Sequence, residues 1–430
     1  MGLPILPLFG PLMTLAWPFV RKRLERGHEV GLDERLGCYS AEKRAALGGN
    51  RNLWLHAVSV GEVQAASAFV DAMSIAPRGC DVVLSTVTVT GARNASLLIG
   101  GDVFAPSAHV YAPWDVPAIV RRACDAISPA AYATIETEIW PNILLELRRR
   151  GVPRFLLNAR VSDRTWKKRG VGRSVLGEMY RLFDAIYARS DADAERLTTL
   201  GANAANVFVA GDFKIDAILK RRDEASSQAE ALGALLTGGG ERTIFVAGST
   251  HEGEDEMLLD AFAEVEGENI LTIAPRHPER APEVAALAAD RGFDAILLSE
   301  LRQSEASGYS NVVVVDEIGV LYGLYGVAAS SFIGGSLVPR GGQNILEPAS
   351  WGIPVLHGPY MDDFAEATAE LDASQAAFEV RTAEDVAAHW RRAAEPVALA
   401  EPVDLARIAY FSRNVGAARR AWRDMGRFLL

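Results

Sequence analysis

The sequence predicts an α/β fold built as two doubly wound halves, each around a parallel sheet. Three observations predict it. Short apolar, β-rich runs alternate with helical intervals along most of the chain. The alternation breaks over residues 217–241 and then restarts. Most polar motifs stand just after a strand, where an open α/β sheet presents its ligands. A length of 430 residues, 49% of them hydrophobic and 23% charged, suits two core-forming domains, or at most three.

The N-terminal stretch Gly2–Val20 carries no charge, and Arg21, Lys22, Arg23 and Arg26 follow it. Its length suits a bilayer, and the trailing positive charges place the body of the chain on the cytoplasmic side. Prolines 4, 7, 11 and 18 weaken a straight helix. Residues 1–23 are therefore expected to anchor the chain, either spanning the membrane or lying in its interface. The order of charge and apolar run is the reverse of a cleaved signal peptide.

Strands are expected in 53–60, 81–89, 131–140, 154–161, 184–190 and 207–213, which places a first Rossmann-like half within 24–216. The polar stretch 217–241 is expected to be helical in its first part, ends in Gly238-Gly239-Gly240 and is expected to connect the halves. Strands resume in 243–250, 269–275, 293–299, 311–316, 328–335 and 354–358, giving a second half over 242–400. An arginine-rich helical segment, 401–430, closes the chain. A cleft at the carboxyl ends of the strands is the expected ligand site.

A net charge of −11 excludes a general nucleic-acid binder, which needs a basic footprint. Cys38, Cys80 and Cys124 are far apart, form no CxxC pair, and are expected as small buried residues in a reducing compartment. There is no GxGxxG, no P-loop, no HExxH and no Asp-x-Asp pair, so neither a dinucleotide nor a metal is expected.

Chemistry is concentrated in a few stretches. "HAVSVGEV" (56–63) reads as strand, turn and helix, with Glu62 in the first turn. There Glu62 either complements the helix dipole or serves as a general base. "IETEIWPN" (135–142) puts Glu136 and Glu138 on one face of a strand end that Trp140 and Pro141 terminate. In "GDFKID" (211–216), Lys214 is a surface lysine or a cleft cation. "APRHPER" (274–280) offers Arg276, whose forked charge suits phosphate. "GGSLVPRGGQNILEPASWGIP" (334–354) is a glycine-rich loop with a helix expected from Gln343 or Asn344. Such a start supplies free N–H groups to an anion, and Glu347 is placed to accept from sugar hydroxyls. "DRTWKKRGVGR" (163–173) is a local basic patch around Trp166, suited either to anionic head groups or to solvent.

Together these stretches resemble the 3-deoxy-D-manno-octulosonic acid (Kdo) transferases of lipopolysaccharide synthesis. "HAVSVGE", "IETEIWPN", "LNARVSDR", "GDFKID", "STHEGE", "PRHPER" and "GGSLVPRGGQNILEP" occur in the family's order over nearly the whole chain. The resemblance implies a GT-B glycosyltransferase in the bacterial inner membrane, with its catalytic domains on the cytoplasmic side. Its first half would bind the lipid A precursor, of the lipid IVA type, and its second half CMP-Kdo. It implies Glu62 as general base, with Glu136 and Lys214 assisting the transition state. The implied CMP contacts are Pro275 and Arg276; Ile318, Gly319 and Val320; and Asn344, Ile345, Leu346 and Glu347. The family's middle segment commonly reads Met-Gly-Glu, so at Val320 a glutamate side chain is missing. The implied reaction inverts the anomeric carbon and uses no metal or other cofactor. Another GT-B nucleotide-sugar transferase or epimerase is the alternative enzyme. A tethered, non-enzymatic binding protein would have no need of Glu62, Glu136, Lys214 and Arg276 together.

Overall fold

The computed structural model describes residues 6–47, 51–75, 80–99, 106–168, 170–303, 311–395 and 409–429. Arg169, the first five residues of the expected anchor and residues 401–408 of the expected C-terminal segment lie outside them. The chain divides into two compact units, residues 1–217 with 414–430, and residues 218–413.

The first unit holds seven parallel strands: β1 (Asn52–His56), β2 (Asp81–Thr86), β3 (Ala108–Tyr111), β4 (Pro129–Ile135), β5 (Arg154–Ala159), β6 (Ala185–Ala188) and β7 (Val207–Val209). Their order is β3-β2-β1-β4-β5-β6-β7. Every residue of β1 and β5 is buried, as expected of strands covered by helices on both faces. The winding reverses between β1 and β4, and this reversal is where such sheets open a crevice.

The second unit repeats the plan with β8 (Thr243–Thr250), β9 (Asn269–Pro275), β10 (Ala295–Leu297), β11 (Val312–Val314), β12 (Ser330–Ile333), β13 (Val355–His357) and β14 (Ala377–Glu379). Their order is β10-β11-β9-β8-β12-β13-β14, with the reversal between β8 and β12. Phe245, Phe262 and Trp390 centre its core, with Phe245 and Trp390 stacked at 5.1 Å.

Several elements differ from the sequence reading. β3 and β14 have no counterpart in it; each is a short edge strand. Residues 217–241, expected as a connection helical in its first part, are helical as far as Thr237, within a helix that begins earlier, at Phe213. Ala229, Leu232 and Leu236 recur on one buried face of it, at helical spacing. The helix Ala417–Leu429 belongs to the first unit. It buries Trp422, Met425 and Leu429 in the same core as Phe69, with the Phe69 and Trp422 rings edge to face at 5.8 Å.

Of the cysteines only Cys124 is buried, and burial pushes its thiol up to about 12. Cys38 is exposed and Cys80 half-buried, and neither lies inside a helix or strand.

A helix runs from Leu6 to Gly27 with Pro11 and Pro18 inside it. Among the described residues no helix is long and apolar enough to cross a membrane. Its inner side packs on the first unit, with Gly10 against Asn142 and Pro117 and with the Trp17 and Trp114 rings 5.3 Å apart. Leu8, Leu12, Leu15 and Phe19 project from the other side into solvent. Around the basic patch, Arg196 lies over the Trp166 ring at 5.6 Å, and Arg173 donates to the Thr199 carbonyl.

Candidate active site

The first unit gathers Glu62, Glu136, Glu138 and Lys214 at the carboxyl edge of its sheet. Glu62 follows β1 in the first turn of the helix Val60–Ile75. Its carboxylate turns back over the helix start. Val58 N–H donates to Oε2 at 2.7 Å and the Ser59 hydroxyl to Oε1 at 3.3 Å. This resembles a capping box and fixes the rotamer. Only 8% of Glu62 is exposed. Burial raises its pKa from 4.5 to about 7, and the nearby Glu138 and Glu136 carboxylates add to the rise. A carboxyl poised near neutrality is matched to general-base work.

Glu136 and Glu138 do not share a strand face. β4 ends at Ile135, and Glu136 sits in the left-handed region at φ 62°. A side chain in that conformation is strained, and such strain is concentrated at functional sites. The turn aims Glu136 at Lys214, whose Nζ lies 2.6 Å from Oε1. Glu138 instead accepts from the Trp140 indole N–H at 3.1 Å, and burial raises its pKa. Trp140 does not end the strand; it precedes the helix Pro141–Arg149. Its ring meets His56 edge to face at 5.8 Å. His56, the last residue of β1, is held neutral by burial, its pKa lowered to about 4.

Lys214 is the second residue of the helix Phe213–Thr237. Its position depends on groups to which the sequence reading gave no role. Asn158, the penultimate residue of β5 at φ 49°, accepts the Phe213 N–H at 3.0 Å. Asp212 accepts the Lys214 N–H at 3.0 Å, and its own N–H donates to Asn414 at 2.7 Å. The usable signal was a polar residue near the carboxyl end of a buried apolar strand; Asn158 stands there within "LNARVSDR".

In the second unit the donor-side candidates follow three strands of one sheet. Pro275 ends β9, Ile318–Val320 follow β11, and Asn344–Glu347 follow β12 through the glycine loop. β9 and β12 flank β8, so these segments line the switch-point edge. Arg276 is exposed, and its backbone N–H is tied to the Thr250 carbonyl at 2.9 Å.

Ile318 is 90% exposed, whereas Val320 turns inward. The side chains of Ile345 and Leu346 are also buried, leaving backbone groups to face a ligand. The helix expected from Gln343 or Asn344 spans only Leu346–Ala349, with Pro348 inside it. Four residues carry little dipole, so the anion argument falls on side chains. Glu347 is engaged by Arg221 at 2.9 Å.

Residues 30–217 match the family model described as "3-Deoxy-D-manno-octulosonic-acid transferase (kdotransferase)". The chain is 32% identical to a 3-deoxy-D-manno-octulosonic acid transferase of Bordetella pertussis, over 96% of this chain and 95% of that protein. It is 31% identical to the enzyme of the same name from Haemophilus influenzae, over 89% and 85%. Among solved structures, UDP-GlcNAc 2-epimerase from Neisseria meningitidis, bound to UDP-GlcNAc, aligns with a TM-score of 0.58. That alignment covers 88% of this chain and 100% of the epimerase at 13% identity, and it shows a shared fold of two Rossmann-like domains. By these matches the chain is a glycosyltransferase and belongs to the 3-deoxy-D-manno-octulosonic acid (Kdo) transferase family.

Proposed function

We propose that the chain transfers Kdo from CMP-Kdo to a lipid A precursor of the lipid IVA type, with inversion at the anomeric carbon. The observation that carries this reading is Glu62, buried beside the Glu136–Lys214 pair with a pKa near 7. An acceptor hydroxyl attacks the anomeric carbon, Glu62 takes its proton, and CMP leaves with the bonding electrons. Lys214 supplies fixed positive charge as negative charge develops, and Glu136 holds the ammonium in place. Arg276 and the exposed backbone around Gly319 and Asn344 are the donor contacts, Arg276 meeting the phosphate.

The reading places the protein at the inner membrane on its cytoplasmic side, held by the apolar face of the helix Leu6–Gly27. Arg21, Lys22, Arg23 and Arg26 on that helix favour anionic head groups.

The test is to incubate the protein with CMP-Kdo and a lipid A precursor and to read product masses. A product heavier by one or more Kdo residues is expected. Glu62→Gln should abolish transfer and still bind CMP. Near-normal turnover by purified Glu62→Gln would overturn the base assignment.

A further inference from the structure

The "STHEGE" stretch (249–254) holds a buried carboxylate that the reaction scheme does not use. Glu254 is 0% exposed. Four backbone N–H groups converge on it. His251 and Gly335 each donate to Oε2 at 2.8 Å, Ser336 to Oε1 at 3.0 Å and Leu337 to Oε1 at 2.9 Å. A carboxylate only accepts, and here each oxygen takes two donors.

Three of those donors are consecutive residues of the glycine loop after β12. Their N–H groups point at one spot because Gly335 adopts φ 68°. Successive N–H groups arranged this way form an anion-binding concavity. The turn that would otherwise suit a substrate phosphate is therefore occupied by the protein's own anion.

The loop is closed on its remaining sides. A Cβ on Gly334 would lie 2.2 Å from the Ser249 carbonyl oxygen, so only glycine fits. The Ser336 hydroxyl accepts the Gly358 N–H at 2.7 Å. The Gly335 carbonyl accepts the Gly342 N–H at 2.9 Å, which ties the far end of the loop, two residues before Asn344, back to its start.

We propose that Glu254 is a positioning residue for the donor. Its carboxylate fills the nest at Gly335–Leu337 in place of a ligand anion. Through the Gly335–Gly342 bond it sets where Asn344–Glu347 present their backbone. The donor phosphate is left to side chains such as Arg276. This inference rests on the reading of Asn344–Glu347 as donor contacts.

Amide hydrogen exchange on the unmodified protein tests the filled nest without risk of misfolding. Gly335, Ser336 and Leu337 should exchange slowly in the free protein and be unchanged by CMP. Fast exchange that CMP slows would overturn the proposal, because the nest would then be the phosphate site. Glu254→Gln sets an NH2 group against two N–H donors. It should weaken CMP binding at least tenfold and leave the acceptor KM unchanged. Glu254→Ala should behave likewise and recover CMP affinity when formate fills the vacated nest. Unchanged CMP affinity in folded Glu254→Gln, or no response of Glu254→Ala to formate, would overturn the positioning role. Failure of the unmodified protein to bind CMP would instead sink the donor reading on which that role depends.

Discussion

Lys214 Nζ and Glu136 Oε1 lie 2.6 Å apart, joining the first turn of the helix Phe213–Thr237 to a left-handed turn after β4. The Glu136 side chain is mostly buried, so removing one partner leaves a charge poorly compensated. Lys214→Met should lower kcat by roughly 10²–10³, the scale of losing one preorganised charge-stabilising group. The backbone strain is separable from this charge. Glu136→Gly and Glu136→Ala both lose the carboxylate, yet only glycine accepts φ 62° freely. The glycine variant should be more stable by about 1 kcal/mol in denaturant titration, with activity lost equally in both.

The rate should depend on pH through Glu62. A base must be unprotonated, so kcat/KM should rise with pH and level off above about 7. Glu138 is the first of the two carboxylates that push this pKa upward, after burial. Glu138→Gln should therefore move the inflection to lower pH; an inflection that stays put would show that Glu138 is too well screened to matter.

Stability should depend on the same group with the opposite sense. Folding raises the Glu62 pKa from 4.5 to about 7. Between those values the folded carboxyl holds a proton that the unfolded chain releases. Its contribution is therefore most favourable below 4.5 and is lost as pH rises through about 7. Glu62→Gln, which cannot ionise, should stabilise the protein at pH 8 by up to about 3 kcal/mol, and by little at pH 4. Thermal melts at the two pH values check this, and equal changes at both would refute the linkage.

Much of this was legible because buried parallel strands are written as unbroken apolar runs, as in "RFLLNA". The polar residue after each run then marks the sheet edge, which located Glu62 and Arg276. What escaped the sequence has physical causes. β3 and β14 are short edge strands with too few side chains for a pattern. The left-handed turn at Glu136 is set by tertiary bonds such as its N–H to the Leu157 carbonyl, not by local propensity. Local sequence left Lys214 open between surface lysine and cleft cation because the groups that fix it follow β4, belong to β5 or stand at residue 414, all remote in sequence.

The apolar stripe Leu8, Leu12, Leu15 and Phe19 should carry membrane attachment. Deleting the helix would also uncover Trp114, so point changes are the cleaner test. Burying a leucine or phenylalanine contributes about 1.5–3 kcal/mol. Leu12→Glu with Phe19→Glu should move most of the protein from membranes to the supernatant in flotation assays, while the isolated protein melts as before. Retention at the membrane would place the attachment elsewhere.

The C-terminal helix should be as necessary to the candidate site as the nearer motifs. Asp216 stands two residues beyond Lys214 and accepts the Gly416 N–H at 2.6 Å and the Ala418 N–H at 2.9 Å. One carboxylate thus caps a helix 200 residues later in the chain, while Arg420 donates to the Ala210 carbonyl beside "GDFKID". These bonds fix the turn from which Lys214 projects. Asp216→Ala should cost about 1.5–3 kcal/mol, as expected for hydrogen bonds to a charged group. It should also lower kcat, because Lys214 loses its fixed origin, while CMP binding in the second unit stays unchanged. Asp216→Asn, which keeps one acceptor, should fall between the two. Full activity in a destabilised Asp216→Ala protein would show that the helix stabilises the unit without setting Lys214.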